Sequence, residues 1–266
     1  MAKRAATPTM APDRVHDFLN ELFAESMHAK RVLSLGNAVV GAIHAAALGV
    51  HAIGKALALA CGLEPRFAIK QVDRLLSNMR LDVWALFPAW VAFLLSDRKE
   101  VVTALDWTDF DQDDHSTIAL NMITSHGRAT PLVWKTHDKA TLAKHRNLYE
   151  VELLAYFRQI LPPDVKVTVL ADRGFGDQAM YKALLGAHMD FVIRFRGCIH
   201  VTDAQDRTTT AAEFVPSSGR AKKVSNVRVT HAKSPVPAVV CVKAKNMKEP
   251  WCLATSRDDL NASEIV

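Results

Sequence analysis

Cysteine is scarce and scattered: Cys61, Cys198, Cys241 and Cys252 are the only four in 266 residues, and no two form a Cys-x-x-Cys pair. That spacing excludes a zinc knuckle or a disulfide framework and suits a reducing cytoplasm. No apolar run is both long and unbroken, because His44, His51 and Lys55 interrupt the Ala-, Leu- and Gly-rich stretch from Leu35 to Leu63. Packed helices are expected there, with no membrane partner. The basic start Met-Ala-Lys-Arg has no apolar signal core behind it, since Pro8, Pro12, Asp13 and Arg14 intervene, and secretion is not expected. There is no Gly-x-x-x-x-Gly-Lys loop, so no nucleotide cofactor is indicated. Nor is the composition extreme: 49% hydrophobic and 23% charged residues exclude a disordered or fibrous chain.

What is present is a modest cationic excess and a change of periodicity partway along. The formal net charge of +5 favours a polyanion such as DNA without requiring one. From Asp13 to about Leu95 apolar residues recur at helical spacing, as in Val15, Phe18, Leu19, Leu22 and Phe23. Near Glu100 a mixed α/β pattern begins. Val101 to Leu105 reads as a strand, and His115–Thr124 and Ala129–Trp134 read as a hairpin turning at Ser125–Arg128. A helix is expected over Thr141–Ile160, stopped by Pro162-Pro163, then a strand at Val165–Ala171, a helix at Gln178–Gly186 and a strand at Phe191–Phe195. Residues 198–250 read as a β-rich insertion with strands at Lys223–Thr230 and Ala238–Val242; Trp251–Thr255 is one more strand, and Ser256–Asp259 resembles a helix start. The expected division is a helical region over 1–97 and an α/β region over 98–266, the latter split into 98–197, the insertion 198–250 and a final segment 251–266.

Two acids stand out against this pattern. Asp106 closes the run Val-Val-Thr-Ala-Leu and Asp172 closes Val-Lys-Val-Thr-Val-Leu-Ala. A carboxylate buried at a strand end is costly unless paired or bound to a cation, and hard oxygen ligands suit Mg2+ or Mn2+. Strand-end acids satisfied by backbone amides give the same spacing, which leaves both readings open. On the predicted helix around residues 66–77, Arg66, Lys70, Arg74 and Ser77 share one face and Val72, Leu75, Leu76 and Met79 the other. Such a face can grip phosphates or simply be solvated. Asp109-Phe-Asp111-Gln-Asp113-Asp114 begins like a calcium loop but has Asp114 where glycine belongs and Leu120 where glutamate belongs, and so reads as a solvated acidic turn.

Four segments in order carry a family resemblance: Ile69-Lys-Gln-Val-Asp-Arg-Leu-Leu-Ser-Asn78, Ala104-Leu-Asp-Trp-Thr108, Gly127-Arg-Ala-Thr-Pro-Leu132 and Leu170-Ala-Asp-Arg-Gly-Phe-Gly176. Together they resemble the insertion-sequence-4 family of bacterial DDE transposases from about residue 55 onward. The resemblance implies an α/β fold with a ribonuclease-H-like catalytic core, a β-rich insertion and a preceding all-α DNA-binding region. It implies that Asp106 and Asp172 hold two divalent ions for phosphodiester cleavage and strand transfer; such ions lie about 4 Å apart. It gives Trp251 a base-stacking role, with a core tryptophan as the plain alternative, and favours end-DNA contact by the Arg66, Lys70 and Arg74 face; Arg173, Arg194 and Arg196, near the predicted site, are further phosphate-binding candidates. The implied partner is double-stranded DNA, both element ends and target, bound by a homodimer in the bacterial cytoplasm at the nucleoid. The family's third acid is a glutamate within spaced Tyr, Arg, Glu and Lys, a motif missing here: Glu213 and Glu249 lie in the insertion, and Glu264 lacks the preceding Tyr and Arg. The expectation is a chain cut short before that glutamate. A DNA-binding remnant without catalysis, and a metal-dependent nuclease that joins no ends, remain the alternatives.

Overall fold

The computed structural model describes residues 10–266, so the basic start Met1–Arg4 and Pro8 lie outside the described residues. The chain divides into two compact units between Phe93 and Leu94.

The first unit is helical: α1 (Pro12–Phe23), α2 (Ala29–Ala45), α3 (Val50–Cys61), α4 (Pro65–Leu76) and the beginning of α5 (Phe87–Leu95). Proline at the first turn starts α1 and α4, where its missing N–H costs nothing, and Gly62 in the left-handed region (φ 65°) ends α3. Val15, Leu19, Phe23, Val32, Val40, Leu57 and Val72 form one core, each worth about 1.5–3 kcal/mol when fully buried. Two glycines set how closely the helices approach. A Cβ on Gly41 would stand 2.5 Å from the Ile53 carbonyl oxygen, and one on Gly54 would stand 2.5 Å from Ile69 Cα. On α4 the expected apolar face is narrower than its sequence suggests: Ala68, Val72 and Leu75 are buried, but Leu76 lies one step round the helix and is 62% exposed. Met79 falls beyond the end of the helix and is fully in solvent.

No single described helix is long and apolar enough to cross a membrane; α2 and α3 pass on length and composition only as a pair bent by 96°. Their buried side chains Val32, Val40, Ile53, Leu57 and Ala58 belong to the core just described.

The second unit is mixed α/β, built on β1 (Glu100–Phe110), β2 (His115–Ile123), β3 (Ala129–Asp138), α6 (Lys139–Leu142), α7 (Arg146–Ile160), β4 (Lys166–Ala171), α8 (Gln178–Gly186), β5 (Asp190–Phe195), β6 (His200–Thr202), β7 (Thr208–Thr210), β8 (Lys222–Val229), β9 (Ser234–Val242), β10 (Trp251–Thr255) and α9 (Ala262–Ile265). All ten strands join one mixed sheet in the order β3-β2-β1-β4-β5-β10-β9-β8-β6-β7. The central β1, β4 and β5 pair in parallel, with a helix in each connection, while the other neighbouring strands pair antiparallel; short turns join β1–β2, β2–β3 and β8–β9, whereas β5 meets β10 only after the whole of β6–β9 intervenes. The strands of 198–250 extend this sheet beyond β10, which pairs with β5 on one edge and β9 on the other.

Helix α7 buries Leu153, Leu154 and Phe157, and α8 buries Met180, Tyr181 and Leu184 beside it, with Tyr181 stacked 5.6 Å from Phe191 of β5. Elsewhere, Ile265 of α9 packs with Val240 and Leu253.

Three local expectations change. The single helix over 141–160 is two, because Lys144 adopts φ 66° and breaks the ladder between α6 and α7. The hairpin strand β3 runs on to Asp138, past a register shift at Leu120/Asn121 that accommodates Pro131. The helix start expected at Ser256–Asp259 is a loop whose side chains are engaged: Ser256 donates to Asp190, and Asp258 accepts from Ser225. Helix α9 begins later, where Asn261 and Glu264 form a reciprocal cap.

Candidate functional site

Strands β1 and β4 are paired in parallel up to Leu105 opposite Ala171, and Asp106 and Asp172 are the next residue on each. The two acids therefore occupy successive positions past the last paired residues of adjacent parallel strands. Asp106 does not end its strand, contrary to the sequence reading: β2 pairs the other edge, with Asp106 opposite Ala119, and β1 continues to Phe110. Both acids are exposed, which corrects the expectation of buried carboxylates; the sheet opens here because β4 has stopped.

Each acid is held by a local amide. Trp107 N donates to Asp106 Oδ1 at 2.9 Å, and Gly174 N donates to Asp172 Oδ1 at 2.7 Å. The glycines of Asp172-Arg-Gly-Phe-Gly176 have separate reasons. A Cβ on Gly174 would sit 3.1 Å from that same Oδ1, and one on Gly176 would sit 2.9 Å from Phe195 Cβ on β5. Exposed oxygen donors with room for water are what Mg2+ accepts, since it keeps several waters alongside one or two carboxylates. Among the described residues no group of three or more His, Cys, Asp or Glu is placed to hold a metal ion.

The predicted basic residues nearby are drawn into one cluster by a residue the sequence reading set aside. Glu249 pairs with Arg173, at 3.6 Å, and with Arg194. The Arg194 guanidinium also lies 5.5 Å from the Trp251 ring, and that tryptophan is 37% exposed on β10 instead of filling the core. Arg196 follows β5 and is exposed. Glu213 and Glu264 are accounted for differently, as members of helix caps.

Two features went unread in the sequence. The first is Glu150 on α7, only 4% exposed, whose Oε1 accepts from Trp107 Nε1 at 2.8 Å while Oε2 is buried without a partner. Burial pushes its carboxyl pKa up, and the nearby Asp177 adds to this, against the lowering effect of the Trp107 bond. The signal was present: residues 150, 153, 154 and 157 make one helical stripe in which only Glu150 is charged. The second is Arg31 of α2. With Ser34 it faces Lys70, Gln71 and Arg74 of α4 across a cleft of about 350 Å³ that no acidic residue lines. Arg66 lies over the Phe67 ring at 4.8 Å and does not line that cleft. Ser77 closes the helix by donating to the Asp73 carbonyl. The acidic turn at 111–114 is tied down by Lys139, which pairs with Asp111 and donates its backbone N–H to the Asp114 carbonyl.

No protein-family model and no curated protein matches the chain. Among solved structures it is similar to the Argonaute of Marinitoga piezophila in complex with 5′ OH guide RNA, at 8% identity and a TM-score of 0.27, over 79% of this chain and 31% of that one. The same Argonaute with guide RNA and target DNA gives 9% identity and a TM-score of 0.26 over 76% and 30%. The chain thus spans about a third of the length of these structures, and a likeness so weak says nothing of its fold or activity.

Proposed function

We propose that this chain is a DNA-binding protein of the DDE transposase type, related to the insertion-sequence-4 family, with a ribonuclease-H-like core that holds Mg2+ or Mn2+ through Asp106 and Asp172. The observation that carries the reading is the register of β1 and β4: the two acids follow the last parallel pair, Leu105 and Ala171, on neighbouring strands. The α2–α4 cleft adds support, offering Arg31, Lys70 and Arg74 to a phosphate backbone, and Trp251 is exposed enough to stack on a base.

In this reading Asp106 and Asp172 supply oxygen ligands, the local amides hold those carboxylates in place, and the basic residues orient the duplex. A bound divalent ion would activate the attacking hydroxyl and steady the leaving oxygen in phosphodiester displacement. The implied partners are element ends and target DNA, with two copies acting together.

The test uses duplex DNA carrying the inverted repeats that flank the source gene. If the wild-type protein with Mn2+ nicks the repeat ends without the family's third acid, Asp106→Ala and Asp172→Ala should each abolish that cleavage by removing a metal ligand, with duplex affinity unchanged. Cleavage that persists in both variants refutes the assignment of the acids. Duplex binding without cleavage by the wild type leaves a DNA-binding protein only, and cleavage without joined products indicates a nuclease.

A further inference from the structure

The first turns of α7 reach two segments that share no hydrogen bond in their own right: the extension of β1 past Asp106 and the loop that follows Asp172. Arg146 pairs with Asp109 at 3.5 Å and lies 5.1 Å from the Trp107 ring. Glu150 accepts from Trp107 Nε1 at 2.8 Å, and Trp107 N in turn donates to Asp106 Oδ1 at 2.9 Å. One residue after Arg146, Asn147 Nδ2 donates to Asp177 Oδ2 at 2.7 Å, and Asp177 caps α8 through Met180 N at 2.9 Å.

We propose that Glu150 is a positioning residue: through Trp107 it fixes the β1 extension to α7, whose Asn147 fixes the loop after β4, so that one helix end sets how Asp106 and Asp172 stand to each other.

Packing alone does not account for a carboxylate at position 150. Its stripe partners Leu153, Leu154 and Phe157 are apolar and buried, and a leucine there would continue the stripe without stranding a polar oxygen. The Glu150 Oε2 atom is buried with no hydrogen-bond partner, and a second such atom, His137 Nε2, lies on the ring that stacks 3.8 Å from Tyr149 and 6.1 Å from Trp107. Unpartnered buried polar atoms cost stability, so a carboxylate here calls for a role beyond packing, and the bond its other oxygen accepts from Trp107 supplies one. The break between α6 and α7 at Lys144 is what starts α7 at Arg146, bringing residues 146, 147 and 150 to the strand ends.

The consequence for metal binding rests on the reading of Asp106 and Asp172 as ligands; the brace itself does not. The experiment measures amide hydrogen exchange and Mn2+ affinity on the full chain for wild type, Glu150→Ala, Glu150→Gln and Trp107→Phe. Glu150→Ala and Trp107→Phe are expected to speed exchange at 106–110 and at 172–177 by about tenfold or more, with β8 and β9 unchanged, as for a local opening. Glu150→Gln keeps the acceptor oxygen and should restore wild-type exchange. Mn2+ affinity should fall by roughly 10–100-fold in Glu150→Ala and recover in Glu150→Gln, the size seen when a group behind a metal ligand is lost. Unchanged exchange at 172–177, or a uniform increase throughout the second unit, overturns the brace. If wild-type Mn2+ binding survives the Asp106→Ala, Asp172→Ala double variant, the metal-ligand reading fails, and the exchange rates alone decide the role of Glu150.

Discussion

Glu249 has one charge and two arginine partners, one of them the residue that follows Asp172, and this pairing gives it an effect on any polyanion that approaches those arginines. Arg173 follows Asp172 directly, and Arg194 lies under Trp251, so a phosphate arriving there must displace the carboxylate that already occupies both guanidinium groups. Glu249→Gln is therefore expected to tighten duplex binding by roughly two- to fivefold, because an exposed pair is worth about 0.2–1 kcal/mol. Fluorescence anisotropy at fixed salt checks this; equal or weaker binding would show that the arginines do not meet the duplex. The arginines were legible in the sequence but their shared partner was not, since residues 173, 194 and 249 are remote along the chain and are brought together only by the pairing of β4, β5 and β10. Glu150 differs: its place on an apolar stripe was readable, and only its partner Trp107 needed the tertiary structure.

At the scale of elements, the helical unit depends on close crossings that its alanine and glycine content permits. Gly54 of α3 leaves no room for a methyl group against the Ile69 backbone of α4, and neither backbone can yield without moving its helix. Gly54→Ala is expected to destabilise the chain by about 1–3 kcal/mol in spite of alanine's better helix propensity, read as a lowered midpoint in urea denaturation. Gly62→Ala is a useful contrast because its cost is backbone strain at φ 65°, with nothing for the methyl to strike. Most elements were legible from periodicity and turn residues, including α8 and β10 at their observed limits. The break at Lys144 was not, because residues 139–160 keep helix-compatible chemistry throughout and the left-handed residue is a lysine, without a glycine to mark it.

For the whole molecule, the charge excess becomes testable once its placement is known. The α2–α4 cleft gathers Arg31, Lys70 and Arg74 without an acid among its lining residues. If these three cations neutralise three phosphates, duplex affinity falls by roughly 40-fold between about 50 and 200 mM salt, from a slope near −0.9 per phosphate. Alanine at all three should flatten that dependence and weaken binding to every sequence alike. A salt dependence unchanged by the triple variant would move the contact surface elsewhere.

Some of this was determined by sequence alone. The apolar periods near 3.6 and 2 set the change from helices to a mixed α/β region around residue 100, because each period can bury only one kind of face. The ends of the apolar runs at Leu105 and Ala171 marked Asp106 and Asp172 as acids worth following. Only the tertiary structure decided that those runs are adjacent and parallel, that β1 continues beyond its acid, that both carboxylates face solvent, and that the strands of 198–250 extend the central sheet. The physical reason is that register, burial and ion pairing depend on which backbone edges meet, and hydrogen bonds between edges far apart in the chain leave no mark on local periodicity.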